Sequence, residues 1–348
     1  MPAIRSLAFL TPGNFPDDDP YAGLESTLRL FSYAEELGFQ GAWVRQRHLE
    51  HGVSSAATFL AAASQRTSSI ELGTAVIPIG YESPFRLGED LATVDVLSRR
   101  RLQAGLSAGT PPHLELVGDH VFDGDWRDFD FSHARIERLA EGLRGGYYGD
   151  EDTRIVSPGN VQRPRLQPHS AGLVERLWYG ASSQRSTLWA AQHGFHLVTG
   201  NIVAGEASDD FVAAQRANLA TFRAAWTAPY APRVALGRVI IPTDGADRAT
   251  RDRYRDYERS RHARTLGPQG ERRTLFAPDL VGPADEILER LLADEAVAEV
   301  VELRLELPYE LSAADYEQIL HDAATLIGPR LGWEPGRARA DVEAAGVA

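Results

Sequence analysis

Two residue types are missing from the 348-residue chain: there is no cysteine, and all 36 basic residues are arginine, so there is no lysine. The first absence removes disulfides, thiolate nucleophiles, zinc ribbons and cysteine-ligated iron–sulfur clusters. The second removes a Walker A lysine and a Schiff-base lysine. Long apolar runs are missing as well; none approaches the roughly 18 residues of a membrane span. The first residues, Met1-Pro2-Ala3-Ile4-Arg5-Ser6-Leu7, lack the apolar core of a secretory signal. A cytoplasmic protein with no membrane partner is therefore expected. Positive charge is in deficit, with a formal net charge of −13, which argues against a nucleic-acid partner, because neutralising phosphates needs a basic surface.

What is present is ordinary for a globular protein, with 43% hydrophobic and 24% charged residues. The first two-thirds alternates short apolar runs with helical periods, the pattern of a parallel α/β fold. Strands are expected at 4–10, 41–44, 70–79 and 102–106, then at 177–180, 197–199, 234–241 and 297–307. Helices are expected at 22–37, 55–66, 88–97, 133–143 and 184–193. A charged, solvated helix follows at 247–264, and Ser312-x-x-Asp315 predicts a capping box opening a last helix to about 327. Stretches 119–131 and 150–172 read as excursions. With neither repeat nor linker, residues 1–333 form one expected domain, and 334–348 an Arg/Ala-rich tail expected to fray. Eight expected strands, most of them followed by an expected helix, suit a (β/α)8 TIM barrel, a fold that routinely runs to this length as one domain.

Three clusters carry candidate chemistry. Gly105-Leu106-Ser107-Ala108-Gly109 spells the G-x-S-x-G elbow of a hydrolase. The late histidines do not suit its order, since His262 lies in the charged stretch and His321 inside the last helix. The alternative is a tight strand end of small residues that a ligand approaches closely. Arg47-His48-Leu49-Glu50-His51 is not H-E-x-x-H and no third metal ligand is marked elsewhere, so no metal is expected. It does follow the second strand, and strand C-terminal ends carry the active sites of such barrels. Finally, Ala181-Ser182-Ser183-Gln184-Arg185-Ser186 leads from a strand into a helix. Its free N–H groups, hydroxyls and Arg185 suit a phosphate, while Ser182 or Ser183 serves equally as a plain N-cap.

These segments together resemble the bacterial luciferase-like, FMN-dependent monooxygenases. The resemblance is carried by Ala34-Glu35-Glu36-Leu37-Gly38-Phe39-Gln40-Gly41-Ala42-Trp43-Val44 and by Ile70-Glu71-Leu72-Gly73-Thr74-Ala75-Val76. The series from Ser83-Pro84 to Arg101, the Gly105–Gly109 turn and Tyr179–Gly194 follow at the family's spacing. It implies a (β/α)8 barrel, a homodimer, and FMN at the C-terminal face. Ser183 and Ser186 fall where the family holds the flavin phosphate, with Ala181, Ser182 and Arg185 beside them. Thr74, Ala75 and Val76 fall under the flavin ring, where several members have a cis Ala75–Val76-type bond, and Ser107 falls in the adjoining turn.

Two departures stand out. The family's Glu-His-His-Phe reads Gln46-Arg47-His48-Leu49, so Arg47 replaces the luciferase's catalytic histidine and His48 remains. An arginine is no base near neutral pH, but it can hold an anionic substrate or a peroxide anion. The family's phosphate-binding arginine is replaced by Ala108, and His133 or Arg135 is the candidate stand-in. The implied function is a monooxygenase acting on a small organic substrate with oxygen. Reduced FMN would come from a separate flavin reductase. His48 is the candidate proton donor or acceptor, Arg47 the anchor, and 267–273 a candidate lid. Two alternatives remain: a deazaflavin-dependent hydride-transfer enzyme, and a flavin-binding protein without catalysis.

Overall fold

A computed structural model describes residues 4–336. Of the expected tail, 337–348 lie outside the described residues. Eight parallel strands close into a ring: β1 (Ser6–Thr11), β2 (Gly41–Val44), β3 (Glu71–Thr74), β4 (Leu102–Ser107), β5 (Leu177–Gly180), β6 (His196–Thr199), β7 (Val234–Arg238) and β8 (Glu302–Glu306). Closure comes where β8 pairs with β1 (Glu302 opposite Ser6) and β3 with β4 (Leu72 opposite Leu102). Strand order follows chain order around the ring, as a (β/α)8 barrel requires. Both faces of each strand are covered, which is why the strand segments are apolar runs without strict alternation.

Inside the ring the large and small residues complement one another. Ala8, Leu10, Ala75 and Ala235 leave room for Trp43 and Trp178, which meet edge to face at 5.4 Å. At Gly73 a Cβ would stand 2.0 Å from the Trp43 ring. Only glycine admits that indole.

The N-terminal end of the barrel is closed by charge. Arg233, just before β7, bonds Glu71 at 2.9 Å and Glu302 at 2.7 Å, and lies over Trp178. Gln103 joins them, donating to Glu71 and accepting from the Trp178 indole N–H. Burial alone would lower the Arg233 pKa, yet the two carboxylates outweigh it and hold it well above its ordinary value.

The outer layer contains α1 (Pro20–Glu36), α2 (Ala56–Ser64), α3 (Pro84–Leu97), α4 (Leu114–Val121), α5 (Ala134–Leu143), α6 (Gln184–Gln192), α7 (Phe211–Ala225), α8 (Arg248–His262), α9 (Ala284–Ala293) and α10 (Ala313–Asp322). Asp19 caps α1, whose Leu28, Phe31 and Ala34 are buried, with Phe31 edge-on to Phe9 of β1. Ser312 and Asp315 form the expected reciprocal capping box on α10.

The differences from expectation are local. The expected strand 70–79 ends at Thr74; the Ala75–Val76 bond is cis, as the resemblance implied, and Ile77–Pro78 then pairs with β4. α3 begins at Pro84 rather than 88, because proline presets the first helical turn. Strand 234–241 stops at Arg238, and Ile240–Pro242 leaves the barrel to pair with Leu280–Gly282. Strand 297–307 narrows to β8, preceded by a helical turn at Val297–Glu299. α4, α7 and α9 were not expected, and the excursion 150–172 holds a hairpin, Ile155–Ser157 against Asn160–Gln162. Near the end of the described residues, Trp333 donates to Gln40 at 2.6 Å.

Candidate active site at the barrel mouth

The segment after β2 enters the mouth of the barrel, where Arg45 and Arg47 donate backbone N–H groups to Thr11 and Val53. A cavity of 220 Å³ opens here, with Arg47, His48, Ala75, Val76 and Ser107 in its wall. Sequence positions far apart thus meet in one place. Arg45 and Gln46 also line it, as do Tyr81 and Pro112. Arg45 bonds Glu306 at the end of β8 (2.9 Å) and lies over Tyr309, while its Nε has no partner. Arg47 donates to the Tyr309 hydroxyl at 3.3 Å and stands 3.8 Å from Glu50. Its guanidinium has spare donors beside the cavity.

His48 is half-buried, edge-on to Tyr81 at 4.7 Å. Burial pushes its pKa down and Glu82 pulls the other way, leaving it below the usual histidine value. Its Nε2 lies 3.2 Å from the Gln46 amide nitrogen, and that same nitrogen donates to Glu82. An amide therefore stands where a hydrolase triad would place its acid. Ser107 and His48 share the cavity, and no described hydrogen bond joins them. His51, the other histidine of the cluster, faces Asp17 at 3.6 Å and Phe15.

Thr74 is fully buried, and its hydroxyl both donates to Gly105 O and accepts from Gly105 N, each at 2.8 Å. It therefore ties β3 to β4 beneath the cavity, with its side chain already spent. Beyond Ser107 the floor continues toward β5, where a Cβ on Gly180 would stand 2.9 Å from Val76. Ala181 is buried and donates to Val198, and the exposed Ser182 accepts from Ala204 at 2.7 Å.

At α6 the N-capping alternative is realised. Ser183 accepts from Ser186 N, and the two hydroxyls are 2.8 Å apart. The Glu206 carboxylate accepts from Gln184 N at 2.8 Å, so an anionic group already sits at this helix N-terminus. Arg185 is exposed beside it. Of the two stand-ins for Ala108, Arg135 is turned away: its guanidinium bonds the carbonyls of Ile79 and Glu82. His133 stays close, bonded to the Tyr179 hydroxyl (2.9 Å), which also accepts from Ala108 N. Burial, then Arg185, lowers the His133 pKa.

The candidate lid 267–273 is a turn tied by Gln269 and Thr274, and it leads into Thr274–Phe276 paired with Ile202–Ala204. Gly205 N donates to Arg273 O, which brings the ribbon beside the Glu206 loop. Tyr81, Glu82, Tyr309 and Glu306 were not singled out from the sequence. Their only signal was position, in loops or strand ends at the C-terminal face.

Fold and cavity define a (β/α)8 barrel with its candidate ligand site at the C-terminal strand ends. The luciferase-like monooxygenase family matches residues 4–328, and the chain belongs to that family. Limonene 1,2-monooxygenase of Rhodococcus erythropolis is 36% identical over 105 residues, 29% of this chain and 27% of that protein. 4-Hydroxyprotoasukamycin monooxygenase of Streptomyces nodosus subsp. asukaensis is 33% identical over 171 residues, 48% of this chain and 44% of that one. The chain thus spans less than half the length of these two curated relatives. Among solved structures, the oxygenating constituent of 3,6-diketocamphane monooxygenase from Pseudomonas putida, in complex with FMN, superposes with a TM-score of 0.66 at 15% identity, covering 95% of this chain and 99% of that one. An F420-dependent secondary alcohol dehydrogenase superposes with a TM-score of 0.59 at 14% identity, with coverage of 95% and 99%. At these identities the likeness shows the fold.

Proposed function

We propose that this chain is an FMN-dependent monooxygenase, receiving reduced FMN from a separate reductase and oxygenating a small organic substrate. The observation that carries the reading is one cavity lined from three strand ends, by Arg47 and His48 after β2, Ala75 and Val76 after β3, and Ser107 at the end of β4. The residues fit the cofactor. Ala75 and Val76 offer an apolar floor for the flavin ring, continuing to the close approach at Gly180. Gly109, with φ of +110° and no atom within 4 Å of a built Cβ, leaves open space beside Ala108 and Ser107. Ser183, Ser186 and Arg185 would hold the phosphate, with Glu206 yielding Gln184 N to it.

Bound there, reduced FMN would supply the electrons that activate oxygen. The chain's own part is to orient and enclose. Ala75, Val76, Pro78 and Pro112 keep water from the reacting face. Arg47 would hold an anionic group of the substrate or of reduced oxygen, and His48 would face it from the same wall. The homodimer implied by the family resemblance belongs to the same proposal.

Equilibrium binding of reduced FMN against the reduced deazaflavin coenzyme tests the reading. FMN should bind at least about tenfold tighter, since Glu206 sits at the phosphate end and disfavours a longer acidic tail. Preference for the deazaflavin would move the chain to the hydride-transfer class. Binding of FMN with no substrate-dependent oxygen uptake would leave a flavoprotein without this catalysis.

A further inference from the structure

Gln46 stands where the end of β2, the start of α2 and the loop before α3 converge. Its side-chain oxygen accepts the N–H of Ala56, the first residue of α2, at 3.0 Å. That bond decides which end of the amide is nitrogen. One amide hydrogen goes to Glu82 Oε1 at 2.7 Å, and the other faces His48 Nε2 at 3.2 Å. Glu82 is itself held from behind, because Arg135 grips its backbone carbonyl.

An amide NH2 group only donates, so the ring nitrogen it faces must present a lone pair. The proton of neutral His48 then lies on Nδ1. No hydrogen bond joins Nδ1 to a described residue, and His48 lines the cavity. We propose that Gln46 is a positioning residue that locks His48 as the neutral Nδ1–H tautomer. His48 then acts as a hydrogen-bond donor to an oxygen of the bound substrate, not as a base through Nε2. This rests on the cavity being the reaction chamber proposed above.

No proton leaves the ring in this role, because loss of Nδ1–H would produce an imidazolate that nothing here stabilises. A neutral imidazole donor at an oxyanion is an established use of histidine in other barrels. Protonating Nε2 would set its N–H against the Gln46 NH2 group. The other groups around the ring are the Tyr81 phenol beside it, Glu82 behind Gln46, and Arg45, Arg47 and Glu50 across the cavity. Burial opposes an imidazolium here, and Glu82 favours one.

The test is nuclear magnetic resonance of the imidazole nitrogens in nitrogen-labelled protein, with His48 assigned from His48→Gln. At neutral pH the wild-type ring should carry its proton on Nδ1 alone. Gln46→Glu should move it to Nε2 and raise the His48 pKa by about one unit or more. Gln46→Met, of similar size and unable to hydrogen-bond, should leave a mixture of tautomers. A wild-type ring protonated on Nε2, or already mixed, overturns the proposal. So does a Gln46→Glu ring that keeps its proton on Nδ1 alone. Should Gln46→Glu not fold, the wild-type and Gln46→Met spectra still decide. Because the measurement needs no flavin, it fails or succeeds separately from the cofactor assignment. In turnover, the lock predicts a rate that is flat from neutral to alkaline pH and falls only as His48 protonates. A rate that falls as His48 deprotonates is the signature of an acid catalyst and contradicts it.

Discussion

Arg233 at the closed end of the barrel and Arg47 at its mouth are both arginines beside glutamates, yet they are used in opposite ways. Arg233 spends its guanidinium on Glu71 and Glu302 and stacks on Trp178. Arg47 reaches a phenol at 3.3 Å and a carboxylate only at 3.8 Å. Between them Arg304 lies 3.6 Å over Trp43, 2% exposed, with its Nε unpartnered and its pKa pushed down by burial to about 9. Pairing is thus complete at Arg233 and loose at Arg47. The lesson is that the buried, fully paired Arg233 is structural, whereas the part-exposed, loosely held Arg47 is free to meet a ligand.

The largest expected effect tests the closed end. Arg233→Met should lower unfolding free energy by roughly 3–5 kcal/mol, because two buried carboxylates lose their cation; denaturant titration measures it. A loss below about 1 kcal/mol would erase the distinction between the two ends. At the mouth, His48→Ala should slow oxygenation by about 10²-fold or more through loss of a hydrogen-bond donor, while fluorescence titration shows FMN still bound. Arg47→Ala should lower kcat/KM for an anionic substrate by about 10–100-fold. The same substitution should shift stability by less than about 0.5 kcal/mol, as for a part-exposed side chain with no close ion pair. A large stability loss from Arg47→Ala would make it a second structural arginine.

Smaller effects sharpen the picture. Glu206→Gln should tighten FMN binding by roughly 2–5-fold, since it removes an anion already at the α6 N-terminus; weaker binding would mean Glu206 helps build the site. For pH, the folded His48 pKa lies below its unfolded value near 6.5, so the unfolded chain binds more protons below that pH. The His48 contribution to stability is then complete above about 6.5 and is lost as pH falls through the lowered folded value. His48→Gln should show a shallower loss of stability between neutral pH and pH 5 than the wild type. Equal slopes would place His48 in water.

Much of the fold was legible because its signals are local. Asp19, Ser183 and Ser312 cap helices within three residues of themselves, and the strand runs are continuous and apolar. α7 escaped notice because its regularly spaced buried stripe, Phe211, Ala214, Gln215, Asn218, Leu219 and Phe222, includes two polar side chains, which dilutes the apolar periodicity. The break at Ala75–Val76 escaped the periodicity because residues on both sides are equally apolar. At the site, Arg47, His48 and Ser107 were legible from their place after strands. Tyr309 and Glu82 were not, since a lone tyrosine or glutamate in a loop carries no pattern.

The sequence by itself determined the ring of strands, the caps of the helices and which loops reach the mouth, because apolar periodicity and capping chemistry act over one or two turns. The tertiary structure alone decided how each polar group is spent. Thr74 is consumed by Gly105, 31 residues away, and Gln184 N by Glu206, 22 away. Gln46 faces Glu82, 36 residues on, and so fixes which His48 nitrogen can donate. Such bonds follow from which loops the closed barrel brings together, and no local pattern in the chain records them.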